Sequence, residues 1–565
     1  MRNNTTSLDR FLRGAAVAVA SVFAAAAHAA APGITGTGGT DRNFDLTAAP
    51  GYITEPDGAS IYSWGYGCNT APSTSEFVPA GVTGGFCTAG SMQLPGPTLV
   101  VNQGDTVTVT LHNNLPAAAG NTSIIFPGFT MQAYASGNGV AGLLTQEAAR
   151  NGTVTYTFIA DTAGTHSYYS GTQGDLQVEM GLYGALIVLP SSSAAGPLAP
   201  LNGAVPTGYG AYIASARAAP TATAGLPDTC FAVGGKRAGL LDGGDFRLAA
   251  AAYNHPETCY DREYLFQFSE MDSAIHRQVE AQSLSAAGQG CVQSTGCLNV
   301  QTEPYHPEYF MINGRSMPDD MDSNYATQYP HQPYNGNPHM HPCEQVLLRV
   351  SGQGRMQHPF HEHANHVRIL ARDGNPLFTS NNNLAGPLMF TTTTTPGMAF
   401  DGIFEFTAKN LNWDPYGHHT ADANNAAVDP GCTPDANGFN TGDAAVGQIS
   451  YWEWCADHDK PLEAHPFGNV GSGGPITLPD PNILANGPWY GGSPYLGFEA
   501  TGRAVGGTPI PPSGTVGNDP GAEAGFAYMW HSHNEREITT NNIFPGGMMM
   551  MLLIDPITFT IDETQ

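Results

Sequence analysis

The chain has 565 residues, 12% charged and 41% hydrophobic, a balance too apolar for a disordered polymer. Its 69 glycines and 43 prolines follow no three-residue period, which excludes a collagen-like fibre. The formal charge of -28 comes without any Lys/Arg run, so nucleic acid and anionic membrane surfaces are poor partners.

The first element is a targeting segment. Arg2, Arg10 and Arg13 precede an Ala/Val-rich apolar run at 14–26, too short to span a bilayer, and Ala27-His28-Ala29 supplies a small-x-small cleavage pattern. Residues 1–29 are therefore expected to be a signal peptide, with no Arg-Arg pair, and the mature protein periplasmic or secreted. The nine cysteines suit that oxidising compartment. Their spacing suggests Cys68–Cys87, Cys230–Cys259, Cys291–Cys297 and Cys432–Cys455, leaving Cys343 as the odd one. His339, Met340 and His341 flank Cys343; they are read as rim residues of a strand in preference to a metal site.

Strands follow. Val107, Val109 and Leu111 alternate with Thr106, Thr108 and Thr110, a half-buried strand after a Gly104-Asp105 turn. Thr153–Ile159 alternates likewise, and 182–189 reads as a buried strand. Short strands between Gly/Pro/Asn turns make residues 44–190 a β-sandwich. Residues 191–258, rich in Ala, Gly, Pro and Ser, read as a linker. A second strand series runs through 259–565 and is interrupted by a loop insertion at 413–522, too long for a simple connection.

The chemistry-bearing residues lie in that second series. His358-Pro359-Phe360-His361-Glu362-His363 and Trp530-His531-Ser532-His533 each contain a His-x-His pair. In a strand, residues i and i+2 share a face, so two such strands side by side would gather four imidazoles around one point. Neutral imidazole suits copper, zinc, nickel or iron, and spacing alone does not choose among them. A surface cluster of rim histidines is the alternative. His112, on the polar side of its strand, and His166 are read as structural or exposed.

These motifs resemble those of the multicopper oxidase and cupredoxin superfamily. In the first half the resemblance rests on Gly96-Pro97-Thr98, Gly104-Asp105-Thr106, Leu115-Pro116, Gly164-Thr165 and Gly181-Leu182-Tyr183-Gly184. In the second it rests on Ile312-Asn313-Gly314, His358 to His363, Asp373-Gly374 and His531-Ser532-His533. It implies an all-β fold of two cupredoxin-like Greek-key sandwiches, similar to two-domain laccases, and hence a homotrimer. The implied cofactor is copper, with phenols or metal ions as substrates. His361, His363, His531 and His533 match copper-cluster ligands, and His358 matches a ligand of the type 1 electron-entry copper.

The carry-over is incomplete. Where the family has two further His-x-His pairs, this chain has Ile125-Phe126-Pro127 and Tyr169-Ser170-Gly171. Ser532 stands at the type 1 cysteine and Glu537 at the second type 1 histidine. A serine hydroxyl cannot replace the copper–thiolate bond. The Met548–Met551 run is read as a packed strand. Expected is a secreted copper-binding protein with a degenerate site and residual oxidoreductase activity. The alternatives are a metal-free cupredoxin scaffold for surface binding, or a zinc or manganese site using Glu362, Glu535 or Glu537.

Overall fold

The computed structural model describes residues 31–79, 82–134, 139–190, 260–340, 344–406 and 524–554, with short pieces at 247–249, 251–255 and 492–496 and isolated positions. The expected leader, most of 191–258 and most of 413–522 lie outside them. So do Cys230, Cys259, Cys343, Cys432 and Cys455 with the pairings expected of them.

In the first half, β1 (Asp41–Thr54), β2 (Ser60–Cys68), β3 (Leu99–Asn102), β4 (Thr106–Asn113), β5 (Thr153–Ile159), β6 (Gly164–Tyr169) and β7 (Tyr183–Leu189) form two sheets. One runs β2-β1-β4-β5 and ends on Gln132–Tyr134; the other runs β6-β7-β3 and continues through Gly33–Ile34 and Phe77–Val78. Val107, Val109, Leu111 and Val154 from the first sheet meet Leu99, Val101, Leu186 and Val188 from the second in one core. Alternation along β4 therefore does what period 2 predicts: it buries the Val/Leu face and leaves the threonines half-exposed. β7 is buried on both faces, because Ala185, Ile187 and Leu189 pack on a separate cluster with Leu265 from the second half. A strand covered on both sides reads as an unbroken apolar run. Gly181, at φ +115°, precedes it; an added Cβ would meet the Trp64 carbonyl oxygen at 2.3 Å, so only glycine fits.

In the second half, β8 (Arg262–Met271), β9 (Tyr309–Ile312), β10 (Gln345–Gly352), β11 (His358–Glu362), β12 (Val367–Arg372), β13 (Thr391–Thr394), β14 (Ala399–Glu405), β15 (Ala524–Ser532) and β16 (Met549–Ile554) also form two sheets. The first runs β9-β8-β10-β14-β12; the second runs His339–Met340, then β16-β15-β11-β13. Phe266, Phe268, Leu348 and Phe404 face Phe360, Tyr528, Trp530 and Leu552 in the core between them. Gly492–Leu496, inside the segment expected to be loop, pairs antiparallel with β15. Among the described residues the fold is thus all-β with sparse helix.

The longest helix described, α1 (Ser273–Leu284), escapes the sequence reading. The Asp272 carboxylate caps it by accepting from Ala274 N. Its Ile275 and Val279 are buried in the core of the first half. Tyr183 Oη donates to Ser269 Oγ at 2.7 Å, and Gln353 Nε2 to the Gly184 carbonyl at 3.0 Å, so polar contacts join the halves as well. Cys68–Cys87 and Cys291–Cys297 are bonded as the spacing suggests. No described helix is long and apolar enough to cross a membrane.

Candidate metal centre

The site is built on the antiparallel pairing of β11 with β15, in which His361 lies directly opposite His531, Phe360 opposite Ser532 and Glu362 opposite Trp530. Opposed residues of an antiparallel pair share a face. His361 and His531 therefore project from one side, away from the core that takes Phe360 and Trp530. His363 follows the end of β11 and His533 the end of β15. Ring centroids are 4.9 Å apart for His361–His363, 5.4 Å for His361–His531, 4.7 Å for His361–His533 and 5.0 Å for His363–His531. One nitrogen from each of His361, His363 and His531 falls within 4.8 Å of the others, a spacing that one cation could bridge.

The imidazoles are oriented by their neighbours. His531 Nδ1 donates to the Ser532 carbonyl at 2.6 Å, which assigns the proton to Nδ1 and leaves Nε2 as the basic nitrogen. That Nε2 lies 3.1 Å from His363 Nε2. His361 Nδ1 lies 2.6 Å from Thr391 Oγ1, supplied by the neighbouring strand β13. Burial, then the like charges that His531 and His533 would carry, lowers His361 to about 4. Burial lowers His531 too, against the pull of the Ser532 carbonyl. His361 and His531 are thus held neutral near pH 7, with lone pairs ready for a cation.

His358 is placed apart from the imidazole cluster. Expected beside a metal, it stands on the opposite face of β11, fully buried, with Nδ1 2.9 Å from Glu537 Oε2 and Nε2 2.9 Å from Glu270 Oε2. Both ring nitrogens are taken by carboxylates, so no lone pair is left for a metal. The Ser532 hydroxyl donates to the same Glu537 oxygen, and Asn534 Nδ2 to the other at 2.8 Å. Glu270 also accepts from the backbone of Arg355 at 2.6 Å and of Met356 at 2.8 Å. The three positions that the resemblance equates with a type 1 copper, His358, Ser532 and Glu537, are thus brought together, and an imidazolium–carboxylate lattice ties them.

Burial alone would discharge His358, but its hydrogen bonds to Glu270 and Glu537 outweigh it and raise the ring to about 9. A raised folded-state pKa gives stability that is fully present below about 6.5 and lost as pH rises through about 9, worth about 3 kcal/mol. The difference in unfolding free energy between the protein and His358→Gln should therefore shrink between pH 7 and pH 10. Denaturant titrations at each pH measure it, and a constant difference would mean the ring is uncharged.

The other expectations separate cleanly. Glu362 faces the core, opposite Trp530, and burial pushes its carboxyl well above the usual range, with Thr392 partly offsetting. Glu535 is exposed. Neither these nor Glu537 joins the imidazoles. Ile125 and Tyr169 are bridged to each other, and a Cβ on Gly171 would meet Ile125, so the first-half positions converge without a metal-binding side chain. His166 is buried, with Nε2 3.0 Å from the Thr162 carbonyl oxygen and its ring against Phe129. His112 pairs with Asp45. Sequence reasoning misses Thr391 and Glu270: one lies in a featureless threonine run, the other nearly ninety residues from its partner His358.

The multicopper oxidase family model matches residues 78–193. The chain is 35% identical over 101 residues to "Multicopper oxidase MCE" of Talaromyces pinophilus, covering 18% of this chain and 16% of that protein. It is 31% identical over 110 residues to "Laccase abr2" of Aspergillus fumigatus, covering 20% and 18%. The matched stretch is therefore under a fifth of either relative. The solved structure "Multicopper Oxidase mgLAC" is 15% identical at TM-score 0.41, covering 93% of this chain and 88% of that one. Over residues 78–193, about a fifth of its length, the chain is similar to the multicopper oxidase superfamily.

Proposed function

We propose that this is an exported copper-binding protein in which His361, His363, His531 and His533 hold the metal. The observation that carries the reading is the convergence of three ligand nitrogens within 4.8 Å, with the fourth ring centred 4.7 Å from His361. Four imidazoles do not distinguish copper from zinc; the similarity of residues 78–193 to multicopper oxidases favours copper. Manganese is disfavoured, since it prefers oxygen ligands and the nearby glutamates face elsewhere.

Bound copper would exchange electrons with a small reductant such as a phenol or a reduced metal ion. The chain's own part is to keep His361 and His531 neutral by burial and to orient their rings, through Thr391 and the Ser532 carbonyl. Turnover should be slow. Ser532 supplies no thiolate for fast electron entry, and Ile125, Pro127, Tyr169 and Gly171 supply no second half of a cluster.

Copper loading, a visible spectrum and oxygen uptake with a phenol test the reading. Expected are bound copper, no intense blue band and weak chelator-sensitive uptake. A preparation that binds no copper would favour a metal-free scaffold. A strong blue band would mean that a thiolate outside the described residues, such as Cys343, ligates the metal.

A further inference from the structure

The face of β15 and β16 that carries His531 also carries sulfur. Met549 lies directly opposite His531, and Met551 directly opposite Met529. Opposed residues share a face, as do residues two apart on one strand. Met529, Met549 and Met551 are therefore neighbours on the imidazole side of the sheet. The even-numbered members of the run, Met548 and Met550, point the other way and belong to the core with Tyr528 and Trp530. Met549 is only 3% exposed, yet it is not part of that core, while Met529 and Met551 are half-buried. Directly opposed Cβ atoms lie about 5 Å apart and diagonal ones about 7 Å, distances that flexible thioether side chains can close.

We propose that Met529, Met549 and Met551 form a second, soft metal site that takes Cu(I), one strand position along from the imidazole cluster. Thioether sulfur selects Cu(I) over harder divalent ions, whereas the neutral imidazoles accept Cu(II) or zinc. The two sites differ in donor chemistry and share one sheet face. The proposal stands whether or not the imidazole cluster is catalytic.

The test is anaerobic titration of the full chain with Cu(I) against a competing chelator, alongside the Met529→Leu/Met549→Leu/Met551→Leu variant. Leucine keeps the apolar volume and removes the sulfur. Cu(I) binding should weaken by more than about tenfold, while Cu(II) binding at the imidazoles is unchanged. Single replacement of half-buried Met551 should give a smaller weakening in the same direction. X-ray absorption of the unmodified protein, loaded with Cu(I) only, needs no variant and should show sulfur scatterers. Cu(I) affinity unchanged by the triple replacement, or a spectrum of nitrogen ligands alone, would overturn the assignment.

Discussion

Replacing His361 and His363 together with alanine should empty the imidazole site. The pair supplies half of the proposed ligands, including two of the three nitrogens that lie within 4.8 Å of one another. Loss of a supporting contact alone costs up to about a hundredfold in metal affinity, and loss of two ligands should exceed that. Metal content after dialysis reads the effect directly. Thermal unfolding gives a second reading, since a ligand at a hundred times its dissociation constant stabilises by about 2.7 kcal/mol, a gain the double variant should lack. His112→Ala and His166→Ala should retain the metal, because one ring pairs with Asp45 and the other with the Thr162 carbonyl. Copper held by the double variant would show that the ligands lie elsewhere.

The second large effect is on stability. Arg349 is fully buried between Glu263, at 2.8 Å, and Asp401, at 3.8 Å. Asp401 in turn accepts from Thr165 Oγ1 at 2.6 Å and from Tyr253, and Thr165 belongs to the first half of the chain. Burial would weaken the guanidinium's charge, but these two carboxylates more than offset it. Arg349→Met leaves both carboxylates buried without a cation, a change that costs about 3–5 kcal/mol. Denaturant unfolding should show the loss. Adding Glu263→Gln and Asp401→Asn should recover much of it, since removing every member of a buried ionic group is far milder than removing one. A single variant as stable as the parent would mean that water reaches the carboxylates.

Period-2 patterning makes much of this legible. It places β4, β5 and β7, and it predicts that His361 shares a face with His363 and His531 with His533. The same arithmetic separates His358 from them, because an even-numbered residue of β11 lies on the opposite face; adjacency in sequence masks that. Nothing local announces the Glu270–His358–Glu537 lattice, whose members come from β8, β11 and the turn after β15. Helix α1 is hidden by its composition. Its sequence, SAIHRQVEAQSL, carries few large apolar residues, and its helical state depends on packing and on the Asp272 cap.

That helix has a consequence for the integrity of the protein. Ile275 and Val279 come from the second half of the chain yet complete the interior of the first. The first half therefore has no finished interior of its own. A truncated chain ending near residue 190 would present an open apolar slot to water and should be recovered as aggregate. A chain cleaved within 191–246, in contrast, should elute as one particle, its two fragments parting only in denaturant. The helix holds the two halves together from within.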